Sequence, residues 1–334
     1  MLPAPCRPGD FRLVRFCSPR PAPFSINNAA PRRHRRLHRS LDAQMSMRKS
    51  SSVVAASLSR REEAVARMPP LAHREVMLAL AGESEARLGD RLMPSEVPAD
   101  VTDFRNAAGD ALGSVDVRRG TPGSSIDFML EAWFHRDLPG GRGAIDITSL
   151  IVFLNGATDA PHFLMELIQG GPASLVVLLD LFPRRDLPLH PDYIARYYEG
   201  TGVDAHRGAI EALPQARPYV SPSLLVRSLW SPTAVVVDVQ CGEQGAAAPL
   251  DGIVRGQIAE SAREVLGVWL EHCAGAGADM GMMWDEERER MVARDKMIST
   301  TSVELNLSAN LPRMFDADVS SRVVAEIGKA FTGR

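Results

Sequence analysis

The part of the sequence that most restricts the fold is the stretch 124–191, where four apolar runs follow one another closely. Each run has the length of a β-strand and is bounded by Gly, Pro, Asn or Asp; the runs are 126–134, 145–154, 162–168 and 175–182. The linkers 155–161 and 169–174 are too short for the crossover that joins parallel strands. Neighbouring strands in this stretch should therefore run antiparallel.

The predicted strands are apolar on both sides, unlike an antiparallel sheet with one face in water. Consecutive apolar residues at 176–179 point to opposite faces, so other elements must cover both. Acidic residues nevertheless interrupt the runs, at Asp127, Glu131, Asp146, Glu166 and Asp180. A carboxylate in such surroundings needs a partner, a solvated cavity or a shifted pKa. These acids are the first indication of a functional site.

Helices are predicted on both sides of this stretch in sequence. Apolar spacing indicates helices over 71–92, after Pro191, over 204–213, 250–273 and 284–297, and at Val319, Val323, Ile327 and Phe331. Further strands are predicted over 111–119, 223–230 and 234–239, with a loop over 94–106. This order predicts a three-layer α/β/α sandwich (α+β class), in which helices cover both faces of a central, mainly antiparallel sheet. We expect 60–334 to form a single domain, because no linker-like change of composition follows residue 110.

The first sixty residues differ in composition from the rest. Of the 38 Lys and Arg residues 12 lie here, whereas only Asp10 and Asp42 of the 41 acids do. A basic, Ser-rich and acid-poor segment is typical of an organelle transit peptide, with processing expected near 45–56. The alternatives are a disordered tail or a nucleic-acid-binding arm. The remaining chain has a net charge of about −13, which argues against a nucleic-acid-binding body.

Several familiar kinds of site are absent from the sequence. No apolar run approaches the roughly 20 residues of a membrane span. Cys241 and Cys273 lack metal-type spacing and are predicted to be small buried hydrophobes. Glycine-rich nucleotide loops, HExxH and GxSxG are all missing. Redox chemistry on this chain would therefore need electrons from outside.

Glu166 is the acid that the pattern singles out. On a strand it shares a face with His162, about 13 Å away, so that both could line one elongated cavity. The alternative is a structural Glu166 paired with an arginine, and a His162 that belongs to a turn.

Three other groups of residues are candidates for binding. The segment 219–222 could present N–H and hydroxyl groups to a ligand, unless it is only the start of a strand. Trp230, at the far end of that strand, could form a wall for a flat apolar ligand, unless it belongs to the core. Arg184, Arg185 and Arg196 could form a docking patch for an acidic partner, unless they are merely solvated.

Five long strings carry a resemblance to a known family. They are IDITSL at 145–150, APHFLMELIQ at 160–169, RRDLPLHPDYI at 184–194, YVSPSLLVRS at 219–228 and LPRMF at 311–315. Together they closely resemble the red chlorophyll catabolite reductases of plants, over essentially 92–331. That family is related to the ferredoxin-dependent bilin reductases, and the resemblance implies their α/β/α sandwich.

The resemblance also implies an activity and a location. The implied reaction reduces red chlorophyll catabolite, an open-chain tetrapyrrole, to primary fluorescent chlorophyll catabolite, at a CH–CH group. Electrons come from reduced ferredoxin, and no flavin, nicotinamide or metal is bound. The resemblance further implies that residues 1–50 are a chloroplast transit peptide and that the mature chain lies in the stroma. The implied partners are ferredoxin, a second copy in a homodimer and other enzymes of chlorophyll breakdown.

The resemblance assigns roles to residues of this chain. It matches Glu166 to a substrate-contacting glutamate that is a candidate proton donor. It places Tyr219, Val220 and Ser221 in the substrate site. Trp230 falls at a position that influences product stereochemistry, where better-known members carry Phe or Val, so the C1 epimer is left open.

Besides Trp230, the chain departs from the family's pattern at Asn306. This asparagine stands where the family has an aspartate that is paired with its glutamate. Asparagine can hydrogen-bond the substrate but cannot deliver a proton. Either Glu166 or bound water supplies the protons, or Glu304 compensates, or activity is reduced. The alternative from another functional class is a tetrapyrrole-binding carrier that sequesters the pigment without reducing it.

Overall fold

The computed structural model describes residues 61–141, 143–242, 247–274, 284–302 and 307–332. In this part of the chain eight strands form one antiparallel sheet, in the order β1-β2-β3-β4-β5-β6-β8-β7. The strands are β1 Phe104–Arg105, β2 Ala111–Arg119, β3 Ile126–Asp137, β4 Ala144–Leu154, β5 His162–Gly171, β6 Ser174–Phe182, β7 Ala216–Pro218 and β8 Val235–Gln240. The four central strands and their antiparallel order are confirmed.

Helices precede, follow and interleave with the strands. They are α1 Ala72–Leu88, α2 Ala99–Thr102, α3 Pro191–Ile194, α4 Val203–Glu211, α5 Leu224–Leu229, α6 Ala247–Ile253, α7 Ala259–His272, α8 Asp285–Thr301, α9 Ser308–Met314 and α10 Ala317–Thr332. The wider helical turns Ala195–Glu199 and Val254–Ile258 continue α3 and join α6 to α7. Every helix among the described residues is too short or too polar to cross a membrane.

Two hydrophobic layers explain why the strands are apolar on both sides. On one face Met129 and Trp133 of β3 belong to a core with α1, α4 and α7. On the other face Phe128, Leu130 and Phe134 of the same strand pack with α8, α9 and α10. Alternate residues thus enter different cores. The predicted three-layer sandwich, with helices on both faces of an antiparallel sheet, is confirmed.

Two predicted segments differ from the structure. Residues 223–230 form helix α5 and not a strand: the Ser223 hydroxyl accepts a hydrogen bond from the N–H of Val226 at 3.3 Å and caps the helix. The predicted loop 94–106 contains α2 and β1. Of the two cysteines, Cys273 is buried as predicted, whereas Cys241 is partly exposed.

Buried ion pairs account for two of the acids in the sheet. Glu131 accepts hydrogen bonds from Arg61 at 3.0 and 3.1 Å and lies 3.6 Å from Arg118, and burial raises its pKa to about 7. Asp146 contacts Arg74 and lies 2.8 Å from His135. These pairs lie between α1 and the sheet. Both acids lie on the sheet face that packs against α1 and point away from the layer formed by α8, α9 and α10. We therefore interpret these ion pairs as structural.

A third ion cluster attaches α8 to the other face. Asp295, on α8, bonds the His162 ring at 2.9 Å and the Arg184 guanidinium at 2.7 and 3.1 Å, and all three residues are buried. Burial alone would raise the pKa of Asp295, but His162 and Arg184 outweigh it and hold that pKa well below its usual range. Arg184 also donates to the carbonyls of Asn155 and Thr158, at 3.0 and 2.6 Å.

This cluster overturns the predicted docking patch. Arg184 is fully buried, and Arg185 is engaged with Asp159 at 3.0 Å and Glu287 at 3.6 Å. Arg196 is exposed and lies over the Tyr197 ring. The three arginines therefore do not form a common surface.

We expect Asp295→Asn to lower the free energy of unfolding by about 3 kcal/mol at pH 7, because it leaves a buried arginine without its anion. Urea denaturation measures the change, with Glu289→Gln on the exposed side of α8 as the control. Since the folded pKa of Asp295 is lowered, its contribution is present above about pH 4 and fades as the pH falls. A loss below 1 kcal/mol at pH 7 would contradict the prediction.

Candidate functional site

A deep cleft lies between the sheet and the layer formed by α5, α8, α9 and α10. It contains about 1280 Å³ of empty space, counting its open mouth. The sheet contributes its floor through Leu130, Ala132, Phe134, Ile147, Ser149, Ile151, Leu164, Glu166, Ile168, Leu178, Phe182 and Val236. Such an apolar concave site with a few polar groups is typical of small-molecule binding sites.

Glu166 lies in the floor of the cleft, between Leu164 and Ile168 on the same face of β5. The register of β4 and β5 puts Ser149 opposite Glu166, and the Ser149 hydroxyl donates to its carboxylate at 3.1 Å. Burial raises the pKa of Glu166, and the bond from Ser149 opposes that rise. Among the described residues no cation forms an ion pair with it, so the arginine-paired interpretation is wrong.

His162 does not line the cleft with Glu166. Its Nδ1 accepts the N–H of Leu154 at 3.0 Å, its Nε2 faces Asp295, and its ring stacks on Phe153 at 4.0 Å. It is the first residue of β5, so the turn interpretation is also wrong. His162 is part of the packing that holds α8.

Tyr219 and Ser221 line the cleft as predicted, but Val220 does not. The segment follows β7, and the N–H of Tyr219 donates to the carbonyl of Val236 at 3.0 Å. The side chain of Val220, between the two, is exposed. Any contact of Val220 with a ligand would therefore come from its backbone or from the mouth of the cleft.

Trp230 forms part of the cleft wall directly after α5. Its ring stacks on Phe182 with centroids 5.0 Å apart. Its buried indole N–H finds no acceptor among the described residues, which leaves a donor for a ligand. The structure thus places Trp230 in the wall of the cleft, at the end of a helix and not of a strand as the sequence suggested.

Asp180 holds this wall from within the sheet. Its carboxylate accepts the N–H of Ser231 at 2.9 Å and the Ser231 hydroxyl at 2.5 Å, fixing the residue that follows Trp230. Burial raises the pKa of Asp180 to about 7, and the two bonds from Ser231 act against that rise. Asp180 is therefore a positioning residue and does not itself line the cleft.

The sequence interpretation missed several polar residues of the cleft: Ser149, Thr301, Ser302 and Asn310. Ser149 could have been found only from the register that opposes it to Glu166. The other three come from α8 and α9, which approach the floor only in the folded chain. The predicted site residue Asn306, with Glu304, lies outside the described residues.

The cleft suits a large flat ligand with little polarity. In the described part of the chain no group of three His, Cys, Asp or Glu side chains is placed to hold a metal ion. Glu166 is an acid whose raised pKa favours the protonated form, which can donate a proton to a bound ligand. The lining can therefore bind an apolar molecule and protonate it at one place.

Comparison with known proteins identifies the family. The family model described as "Red chlorophyll catabolite reductase (RCC reductase)" matches residues 72–329. "Red chlorophyll catabolite reductase 1, chloroplastic" from Oryza sativa subsp. japonica is 52% identical over 332 residues, which cover 96% of this chain and 98% of that protein. "Red chlorophyll catabolite reductase, chloroplastic" from Arabidopsis thaliana is 42% identical over 258 residues, or 77% of this chain and 80% of that protein.

A solved structure shows the same fold at low sequence identity. Phytochromobilin synthase from tomato, in complex with biliverdin, superposes with a TM-score of 0.57 at 13% identity. The match covers 78% of this chain and 83% of the tomato chain. On the extent of the family match and the identity to the rice and Arabidopsis proteins, this chain belongs to the red chlorophyll catabolite reductase family.

Proposed function

We propose that this chain reduces red chlorophyll catabolite to primary fluorescent chlorophyll catabolite with electrons from reduced ferredoxin. That it is a reductase of chlorophyll breakdown follows from its family. It acts in the chloroplast, the compartment of its rice and Arabidopsis relatives. The observation that carries the finer proposal is Glu166, a partly buried acid without a cationic partner among the described residues, in the floor of an apolar cleft.

The shape and lining of the cleft support a tetrapyrrole as the ligand. The tomato protein of the same fold was solved with biliverdin, also an open-chain tetrapyrrole. In our proposal the aromatic pair Phe182 and Trp230 packs against one pyrrole ring. Tyr219, Ser221 and Asn310 offer hydrogen bonds to the polar edge of the ligand.

In the proposed reaction the electrons and the protons come from different sources. Reduction of one C=C bond to a CH–CH unit adds two electrons, one from each of two reduced ferredoxins, and two protons. The neutral carboxylic acid of Glu166 donates one proton to the reduced substrate, and solvent returns that proton to the carboxylate. The second proton comes from water at the open mouth. No bound flavin, nicotinamide or metal takes part in this proposal.

We expect Glu166→Gln to lower turnover at least about 100-fold while changing tetrapyrrole affinity by less than about threefold, since glutamine keeps the shape but cannot donate the proton. An anaerobic assay with reduced ferredoxin measures fluorescent product, and absorbance titration measures binding. Asp238→Asn, on the same sheet face but outside the cleft lining, is the control.

Two results would contradict this assignment in different ways. Glu166→Gln with unchanged turnover would remove Glu166 from the chemistry. Unaltered protein that binds the pigment but yields no product with ferredoxin would instead favour a sequestering carrier.

We expect Ser149→Ala to move the alkaline limb of the turnover-versus-pH profile to higher pH, because the mutation removes a hydrogen bond that favours the carboxylate. The Ser149 bond favours the carboxylate of Glu166 and so lowers its pKa. Without that bond the protonated, active form persists to higher pH. Steady-state turnover from pH 6 to 9 (roughly the range around neutrality) tests this, with Ser321→Ala on the exposed side of α10 as the control. An unmoved limb, or one moved to lower pH, would refute the prediction.

A further inference from the structure

We propose that the surface around the mouth of the cleft is the docking site for the acidic electron carrier. This inference rests on the proposed function and adds the place where the electrons enter. We define the rim surface as residues 219–229, the exposed side of α8 from Arg294 to Thr301, and α9. Each of these elements also contributes residues to the lining of the cleft.

The rim surface exposes large apolar side chains. Val220 is 63% exposed, Leu224 73%, Leu225 40% and Met297 46%. These are half of the eight large hydrophobic residues that are exposed in the described part of the chain. Apolar side chains concentrated at one place on a surface indicate a binding site for another molecule.

Helix geometry places Met297 beside α5. Arg294, one turn earlier on α8, reaches the carbonyl of Leu229 at the end of α5, at 3.4 Å. Thr301, one turn later, lines the cleft. Residues three and four apart lie on the same side of a helix, so Met297 lies between the contact with α5 and the part of α8 that lines the cleft.

The charge of the rim surface is opposite to that of the body. Within or next to the rim surface, residues 219–229 contain Arg227 and no acid, and residues 307–315 contain Arg313 and no acid. On α8 the exposed Lys296 follows Asp295, whose charge is buried against Arg184 and His162. The remainder of the chain after the leader is strongly acidic. A basic surface retained on an acidic protein favours an acidic partner.

One further arginine supports the basic side of the rim surface. Arg136, at the end of β3 and on the same strand face as Phe134, donates to the carbonyl of Arg313. Among the described residues, acids occur at the margins of the rim surface: Asp238 is opposite Arg217 in the sheet, Glu286 pairs with Arg290, the exposed Glu289 precedes Arg294 on α8, and Asp316 and Asp318 follow α9. The segments that border the mouth therefore remain basic in sum.

An acidic carrier fits this surface better than a second copy of the chain. In a two-fold symmetric contact the rim surface would meet a second surface of the same basic charge, which is unfavourable, and the contact would cover the mouth. An electron carrier instead gains from a site at the mouth, where a bound ligand comes nearest to the surface. The exposed apolar residues then provide the dry centre and the arginines the charged border of a transient contact.

The test is reversal of charge at the rim surface. We expect Arg227→Glu and Arg313→Glu together to raise the KM for ferredoxin at least about tenfold at low salt, and to reduce the salt dependence of kcat/KM. Tetrapyrrole affinity, and the rate with a small chemical reductant in place of ferredoxin, should stay within about twofold. Arg263→Glu, on α7 at the opposite face of the sheet, is the matched control and should behave like the unaltered protein.

The outcomes separate this inference from the proposed function. Unaltered protein that reduces the pigment with ferredoxin, together with a double variant of unchanged KM, overturns the docking site alone. Unaltered protein that accepts electrons only from the small reductant overturns the proposed partner and the docking site with it. If the double variant changes the mass of the protein in solution or its sedimentation with anionic vesicles, while KM is unchanged, the rim surface belongs to a second copy or to a lipid surface instead.

Discussion

The site depends on the buried charge of Asp295. Its carboxylate, on α8, bonds His162 at the start of β5 and Arg184 just after β6. Arg184 also donates hydrogen bonds to the carbonyls of Asn155 and Thr158. This interaction fixes the height and rotation of α8 over the sheet, so that Ile298 and Thr301 face the floor of the cleft. Moving α8 would separate this buried carboxylate from its two cationic partners, which is strongly unfavourable. The ion cluster therefore acts together with the hydrophobic packing of α8 to hold the helix over the sheet.

The sheet provides the complementary constraint. Its two faces pack against different helical layers, and the acids are sorted between them: Glu131 and Asp146 are neutralised on one side, while Glu166 and Asp180 lie on the other. The same burial raises the pKa of both acids on the cleft side, yet they act differently. Asp180 accepts two hydrogen bonds from Ser231, whereas Glu166 accepts one from a described residue, Ser149 at 3.1 Å. In our proposal this difference makes Glu166 the proton donor.

The sheet could be predicted well from the sequence. Strand length, short linkers and apolar residues on both sides of a strand are local properties that can be read from neighbouring residues. Glu166 and Trp230 were also predicted near one ligand, and both line the cleft. Helix α5 was mistaken for a strand because its apolar run 223–230 is too short to separate the two, and the Ser223 cap decides the outcome. A charged residue is expected to be exposed to solvent, so the sequence alone does not predict that Arg184 is buried. Only the fold brings Asp295 next to it.

The anchoring of the cleft wall has a consequence for how this enzyme family can diversify. Asp180 accepts hydrogen bonds from the backbone N–H and the hydroxyl of Ser231. Arg294 donates to the carbonyl of Leu229, the last residue of α5. The position of residue 230 is therefore set by the residues on either side of it. The Trp230 ring adds packing against Phe182, but the bonds that hold its backbone do not involve that ring. A different side chain at position 230 would therefore change the shape of the cleft wall while these backbone bonds remain. The wall thus separates the residue that shapes the cleft from the residues that hold the chain in place.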